Sequence, residues 1–154
     1  KYFEIKDAVC EPKPVQNPFP ICIGGRGEHT LKVAARYADM VNLQGTVEQT
    51  EKFVSFLEKQ FKAAGRNWDE VEKQLGTWFW IYENDQERDK YAEELKTFRA
   101  KETASFIRGT PEEIVNLFQK YVDIGVTYFT LRFEDLPSKR GLRLFAEKVM
   151  PAFQ

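Results

Sequence analysis

What this chain lacks narrows its chemistry before any motif is considered. It holds a single histidine and two cysteines, Cys10 and Cys22, so no set of ligands with zinc spacing can be assembled, and no metal site is expected. No apolar run approaches the length of a membrane span, and no secretory leader pattern is visible. Neither sign of charge is in excess: Lys and Arg number 23, Asp and Glu 24, for a formal net charge of -1. A chain so balanced has no general attraction for nucleic acid or for an anionic membrane surface. Two cysteines in or beside strand-like segments fit a reduced, cytoplasmic setting.

What is present is a globular composition, with 154 residues, 42% hydrophobic and 31% charged, enough for one domain spanning residues 1–154. Aromatic content of 14%, including 13 phenylalanines, requires that much of this bulk be buried. The chain begins at Lys1, and Tyr2–Lys6 alternates as a strand does, so the expectation is a piece of something longer. Residues 1–19 form a proline-studded lead-in, because Pro12, Pro14 and Pro18, with Pro20 directly behind them, exclude helix and suit an extended edge.

Beyond it, strand and helix signals alternate. Phe19–Ile23 reads as a short buried strand, and Leu31, Ala34, Ala35 and Ala38 recur at helical spacing behind it. Met40–Gln44 is the next strand. Thr46 and Gln49 have capping-box spacing, Phe53, Val54, Leu57 and Phe61 line one stripe, and Gly65 stops the helix. Thr77–Tyr82 is apolar on both faces, as a strand covered on both sides should be. Asn84 or Asp85 caps a charged helix in which Tyr91, Leu95 and Phe98 repeat. Thr110-Pro111-Glu112-Glu113 is a capping box with proline in the first turn, Ile114, Leu117, Phe118, Tyr121 and Val122 form the buried face behind it, and Gly125 ends the helix. Val126–Phe133 is the fourth strand and Leu142–Val149 the last helix, before Pro151. Four βα units in series imply an α/β protein with a parallel sheet, doubly wound or a barrel.

The run Pro20-Ile-Cys-Ile-Gly-Gly-Arg-Gly-Glu-His-Thr30 passes from strand through glycines into a helix. Gly24, Gly25 and Gly27 either only shape a sharp turn, or let an anion approach the backbone where the first free N–H groups of the helix favour it. A Rossmann fingerprint is not met, since the third glycine is missing and no acid follows about 20 residues on at a strand end. His29 reads as a solvent-facing first-turn residue, and Cys22 as a small buried hydrophobe. Trp78, Trp80 and Tyr82 share one face of their strand, where core packing outweighs a stacking platform for a ring. Glu112 and Glu113 serve their helix terminus, and Glu134-Asp135 reads as a loop.

Several of these stretches fall in one family's order. Glu11 to Pro20 with Ile-Cys-Ile-Gly-Gly behind it, Ala35-Arg-Tyr-Ala-Asp39 with Asn42, Gly109 to Glu113, Gly125 and Val149-Met-Pro151 together resemble the C-terminal half of the bacterial luciferase-like monooxygenase superfamily. That superfamily includes flavin-dependent monooxygenases and reductases and dehydrogenases dependent on the deazaflavin coenzyme F420. The resemblance implies half of a TIM (β/α)8 barrel, strands five to eight, with sites at the C-terminal strand ends. It implies FMN or coenzyme F420 as cofactor, with its phosphate on Gly24, Gly25, Arg26 and Gly27, Asn42 to Gln44 beside the cofactor, and Arg132 adding a charge-assisted contact. From the residues alone, Asn42 could instead bond its own loop and Arg132 a surface carboxylate. Met40 and Val41 stand where the family usually has glycine and tryptophan. With the first four strands absent, no catalytic residue can be named.

Two functions follow from this reading. The chain is the C-terminal part of a flavin- or deazaflavin-dependent oxidoreductase acting on a small-molecule substrate, or a non-catalytic half-barrel kept for phosphate binding or interaction. In both, open sheet edges imply association with a second copy or with the missing N-terminal half.

Overall fold

The computed structural model describes residues 4–95 and 106–154. Five strands and five helices alternate through these residues: β1 (Cys22–Gly24), α1 (Glu28–Tyr37), β2 (Met40–Leu43), α2 (Val47–Ala63), β3 (Glu72–Ile81), α3 (Asp85–Leu95), β4 (Phe106–Gly109), α4 (Pro111–Asp123), β5 (Tyr128–Phe133) and α5 (Arg140–Lys148). Every strand pairing is parallel, as consecutive strands joined by crossover helices must be.

The sheet is built around β3. Its first residues, Glu72–Leu75, pair with β2, and its last, Trp78–Ile81, pair with β4. β5 pairs with Gln74–Phe79 and so overlaps both ranges. A strand has two edges, so β2 and β4 share one edge of β3 in series while β5 takes the other. The continuous path is therefore β1-β2-β3-β5, with β4 as a short addition at the C-terminal end of β3.

Alternation divides each strand between two faces. Val41, Leu43, Leu75, Phe79 and Ile81 turn toward the helices and join Leu57, Phe61, Ile114 and Phe118 in the core. Phe79 is fully buried, with Phe133 at 5.0 Å, Phe145 at 5.3 Å and Phe118 at 5.9 Å between ring centroids. Phe118 also stacks on Phe129 at 4.5 Å. This cluster accounts for much of the phenylalanine in the composition. The opposite face carries Gly24, Asn42, Gly76, Trp78, Thr130 and Arg132, and among the described residues no helix buries these six.

Helix ends follow local chemistry. Thr46 and Thr110 each accept from the backbone N–H three residues on, and Gln49 and Glu113 return the bond to the cap. Asn84 accepts from the Glu87 N–H and so caps α3. Gly65 and Gly125 follow α2 and α4 with φ of 70° and 96°, which glycine adopts without strain.

Several sequence expectations change. Glu4–Lys6, the described part of the first strand-like run, is exposed and irregular, and among the described residues no strand pairs with it. The strand read at Phe19–Ile23 runs from Cys22 to Gly24, and Phe19 is exposed. Pro18 and Pro20 offer no N–H to a ladder. Cys22 is exposed rather than buried. Five strands stand where four were expected, since Phe106–Gly109 adds β4. β3 starts at Glu72 rather than Thr77, and the last strand starts at Tyr128 rather than Val126. α5 starts at Arg140, and Pro151 sits within a further 3-10 turn over Met150–Phe153. Phe98, the last residue expected in the α3 stripe, lies outside the described residues.

Candidate functional site

The uncovered face presents its polar groups toward the C-terminal strand ends. Gly24 closes β1, and the chain turns at Gly25 with φ of 150°. Gly27 is the N-cap of α1 and offers no side-chain oxygen to that terminus, so the first amides of α1 have no side-chain cap. Arg26 and His29 are exposed beside it. Asp39 holds the far end of the strand, accepting from the Ile21 N–H at 2.8 Å while its own N–H donates to the Ile21 carbonyl at 2.9 Å. The Ala38-Asp39 pair of the sequence motif therefore fixes β1 against β2.

In register with Gly24 on the neighbouring strand is Asn42. Glycines flank it on both sides. A Cβ on Gly24 would lie 3.3 Å from the Asn42 Cβ, and one on Gly76 would lie 3.1 Å from its Oδ1. The Asn42 carboxamide thus fills the space that two missing side chains leave. Its Oδ1 is buried and has no hydrogen-bond partner, an arrangement that is costly unless a ligand donor completes it.

Beside Asn42 opens a concavity of about 230 Å³, lined by Asn42, Gln44, Gly76, Thr77, Trp78, Thr130 and Arg132. The Arg132 guanidinium lies over the Trp78 indole, 4.3 Å from the ring centroid, within cation–π range. Thr130 precedes Arg132 by two residues on β5 and shares its face. Its hydroxyl oxygen accepts from Gln74 Nε2, and Gln74 Oε1 accepts from the Cys22 thiol at 3.7 Å. Partial desolvation, with Glu72 nearby, pushes the Cys22 thiol up from its usual range, which suits its role as a donor and not that of a thiolate nucleophile.

Three expected site residues, Asn42, Gln44 and Arg132, therefore meet at one concavity. Gly24 to Gly27 do not line it. They stand at the end of β1 and in the turn after it, and β1 is three strand positions from β5 along the path β1-β2-β3-β5, which is about 14 Å at ~4.8 Å per strand. Gly76, Thr130 and Gln74 were not singled out from sequence. The signal was present in the period-2 alternation of β3 and β5, but their pairing partners were not. Trp78 is half-buried beneath Arg132, while Trp80 and Tyr82 pack edge to face at 5.0 Å and are buried, so one face of β3 combines a ring exposed to the concavity with two core residues.

A larger open depression, of about 560 Å³, runs along the start of α5. Its Arg140 is ion-paired with Glu83 at 3.4 Å and with Glu87, so its charge is already met by carboxylates. Among the described residues no cluster of metal-ligating side chains occurs, and no helix is long and apolar enough to cross a membrane.

Comparison with known proteins adds a family. A family model described as luciferase-like monooxygenase matches residues 1–105. An F420-dependent glucose-6-phosphate dehydrogenase from Microbacterium testaceum (strain StLB037) is 26% identical over 180 aligned positions, covering 97% of this chain and 53% of that enzyme. Among solved structures, an F420-dependent secondary alcohol dehydrogenase in complex with an F420–acetone adduct superposes with a TM-score of 0.73 at 19% identity, over 99% of this chain and 54% of the other. An F420-dependent tetrahydromethanopterin reductase from Methanopyrus kandleri gives 0.69 at 19% identity, over 90% and 52%. A long-chain alkane monooxygenase gives 0.69 at 24% identity, over 100% and 45%. At such identities the superpositions establish a shared α/β fold with a parallel sheet. The chain spans about half the length of these relatives.

Proposed function

The chain belongs to the luciferase-like monooxygenase family, and we propose that it is the C-terminal part of an F420- or flavin-dependent oxidoreductase, contributing βα units five to eight of a TIM barrel. The glycine turn Gly24-Gly25-Arg26-Gly27 receives the cofactor phosphate on uncapped helix amides. Asn42 and Gln44 lie beside the cofactor, and Arg132 supplies positive charge on the opposite wall. When bound, FMN or coenzyme F420 supplies hydride transfer or flavin-assisted oxygenation, and this chain's residues bind and orient it. The observation that carries the reading is the orphaned Asn42 Oδ1 between Gly24 and Gly76, a cradle whose missing partner is a hydrogen-bond donor.

The residues lining the concavity include no Asp, Glu, His, Cys, Lys or Tyr. General acid–base chemistry there needs groups from elsewhere, so this chain is inactive alone and works with the N-terminal half of the barrel or a second copy. Support for such association comes from the sheet edges, since among the described residues β1 pairs only with β2, and β5 only with β3. The lack of acid–base groups also favours a second reading, a half-barrel that binds phosphate or a partner without catalysis.

Titration with FMN and with F420, followed by quenching of cofactor fluorescence, separates these readings. Saturable binding by the chain, with turnover restored by adding a polypeptide that supplies strands one to four, supports the oxidoreductase. Binding without turnover in the reconstituted barrel supports the module. No binding even in the reconstituted barrel overturns the cofactor reading.

A further inference from the structure

The separation between the glycine turn and Arg132 leaves the arginine with a task of its own. Arg132 is exposed on the uncovered face, and among the described residues no carboxylate pairs with it. The concavity it lines holds one cation and no acid. A guanidinium laid on an indole keeps its N–H edges free in the plane of the group, while one face is shielded from water. The stack also limits the rotamers the long side chain can adopt, so less freedom is lost when a ligand binds.

Thr130 completes the geometry. Its oxygen accepts from Gln74 Nε2, and a hydroxyl that is already accepting has its proton left to donate. Thr130 pairs in register with Gly76 and Arg132 with Trp78. The floor between the two donors is thus a glycine, over which the Asn42 carboxamide lies. Hydroxyl and guanidinium edge together match a tetrahedral or planar oxyanion.

We propose that Arg132, held over Trp78 and joined by Thr130, forms an oxyanion seat separate from the glycine turn, which takes a phosphate or carboxylate group of the ligand. In this arrangement Trp78 is a positioning residue, since it acts by holding the arginine. The seat does not depend on which redox cofactor the family site takes.

The test is calorimetric titration of the whole chain with inorganic phosphate at constant ionic strength, alongside tryptophan emission. Arg132→Gln is expected to weaken binding roughly ten- to hundred-fold, the range of a hydrogen bond to a charged group, with Thr130→Val weakening it several-fold. Trp78→Leu is expected to weaken it and Trp78→Phe to restore it, which a merely structural role would not do. Circular dichroism establishes that the exposed substitutions leave the fold intact. No saturable binding, or equal binding by wild type and Arg132→Gln, overturns the seat.

Riboflavin and FMN then distinguish the sources of the oxyanion. If Arg132→Gln weakens FMN but not riboflavin, the seat takes the cofactor phosphate. If it leaves both unchanged while inorganic phosphate binding is lost, the seat takes an oxyanion of the substrate. Equal weakening of both ligands overturns the proposal, because the arginine would then serve the ring. Phosphate binding that depends on Arg132 in a protein with no affinity for FMN or F420 retains the seat and rejects the cofactor reading alone.

Discussion

The Asn42 carboxamide lies against the bare Cα of Gly76, so close that a methyl group there would sit 3.1 Å from Asn42 Oδ1. Gly76→Ala must push that carboxamide by a few tenths of an ångström and narrow the floor of the concavity. A several-fold loss of cofactor affinity is expected, with stability changed by less than about 1 kcal/mol because the position is on the uncovered face. Fluorescence titration and urea unfolding read the two effects. Asn42→Ala in the Gly76→Ala background should recover space but not the acceptor, so affinity should stay low. Unchanged affinity in Gly76→Ala would mean that the ligand does not reach this floor.

The turn after β1 depends on Gly25 for a different reason. Its φ of 150° disfavours any side chain, and a Cβ would lie 2.7 Å from Thr30 Cγ2. Gly25→Ala is expected to destabilise the protein by about 1–3 kcal/mol. Adding Thr30→Ser removes the methyl clash and should recover part of that loss, leaving the backbone strain. Urea midpoints of the single and double variants measure the split, and full recovery would show that strain contributes nothing.

Tyr121 ties α4 to the loop after β2. Its buried hydroxyl donates to the Gly45 carbonyl at 2.9 Å, across 76 residues of sequence. Tyr121→Phe leaves that carbonyl short of a partner and is expected to cost about 1–3 kcal/mol. Burial, with Glu48 nearby, pushes the phenol up from 10.0 to about 12. The folded state therefore holds its proton where the unfolded state has lost it, so the contribution is complete below pH 10.0 and is lost as pH rises toward about 12. Stability measured across that range should fall less steeply in Tyr121→Phe, and identical slopes would contradict this assignment.

The two capping boxes should act independently. Thr46 and Thr110 each accept from the N–H three residues on in separate helices, with no shared bonding partner. Thr46→Ala and Thr110→Ala are each expected to cost about 1 kcal/mol. The double variant should show the sum within about 0.5 kcal/mol, measured by chemical denaturation. A larger discrepancy would indicate coupling through the packing of α2 against α4.

Legibility from sequence followed the range of the physics. Thr110-Pro111-Glu113 specified a helix start because cap, proline and returning carboxylate act within four residues. The glycine turn was equally plain, since Gly25 must adopt its φ wherever the chain goes next. The front of β3 was not legible. The strand read from sequence begins only at Thr77, and Lys73, Gln74 and Gly76 become strand because β2 and β5 hold this stretch from both sides. β4 was missed for a similar reason, as four residues with little pattern are strand only through Trp78–Ile81.

The sequence by itself determined the alternation of strand and helix, the capped starts of α2 and α4, the family resemblance and the residues Gly24 to Gly27, Asn42, Gln44 and Arg132 as candidates. Each of these is carried by neighbours along the chain. Only the tertiary structure decided which of them meet. Parallel pairing sets Gly24, Asn42 and Gly76 side by side and puts Arg132 on Trp78, while leaving the glycine turn three strands from that arginine. Such neighbours are fixed by strand register between distant segments, and register depends on how the whole apolar face of the sheet is buried.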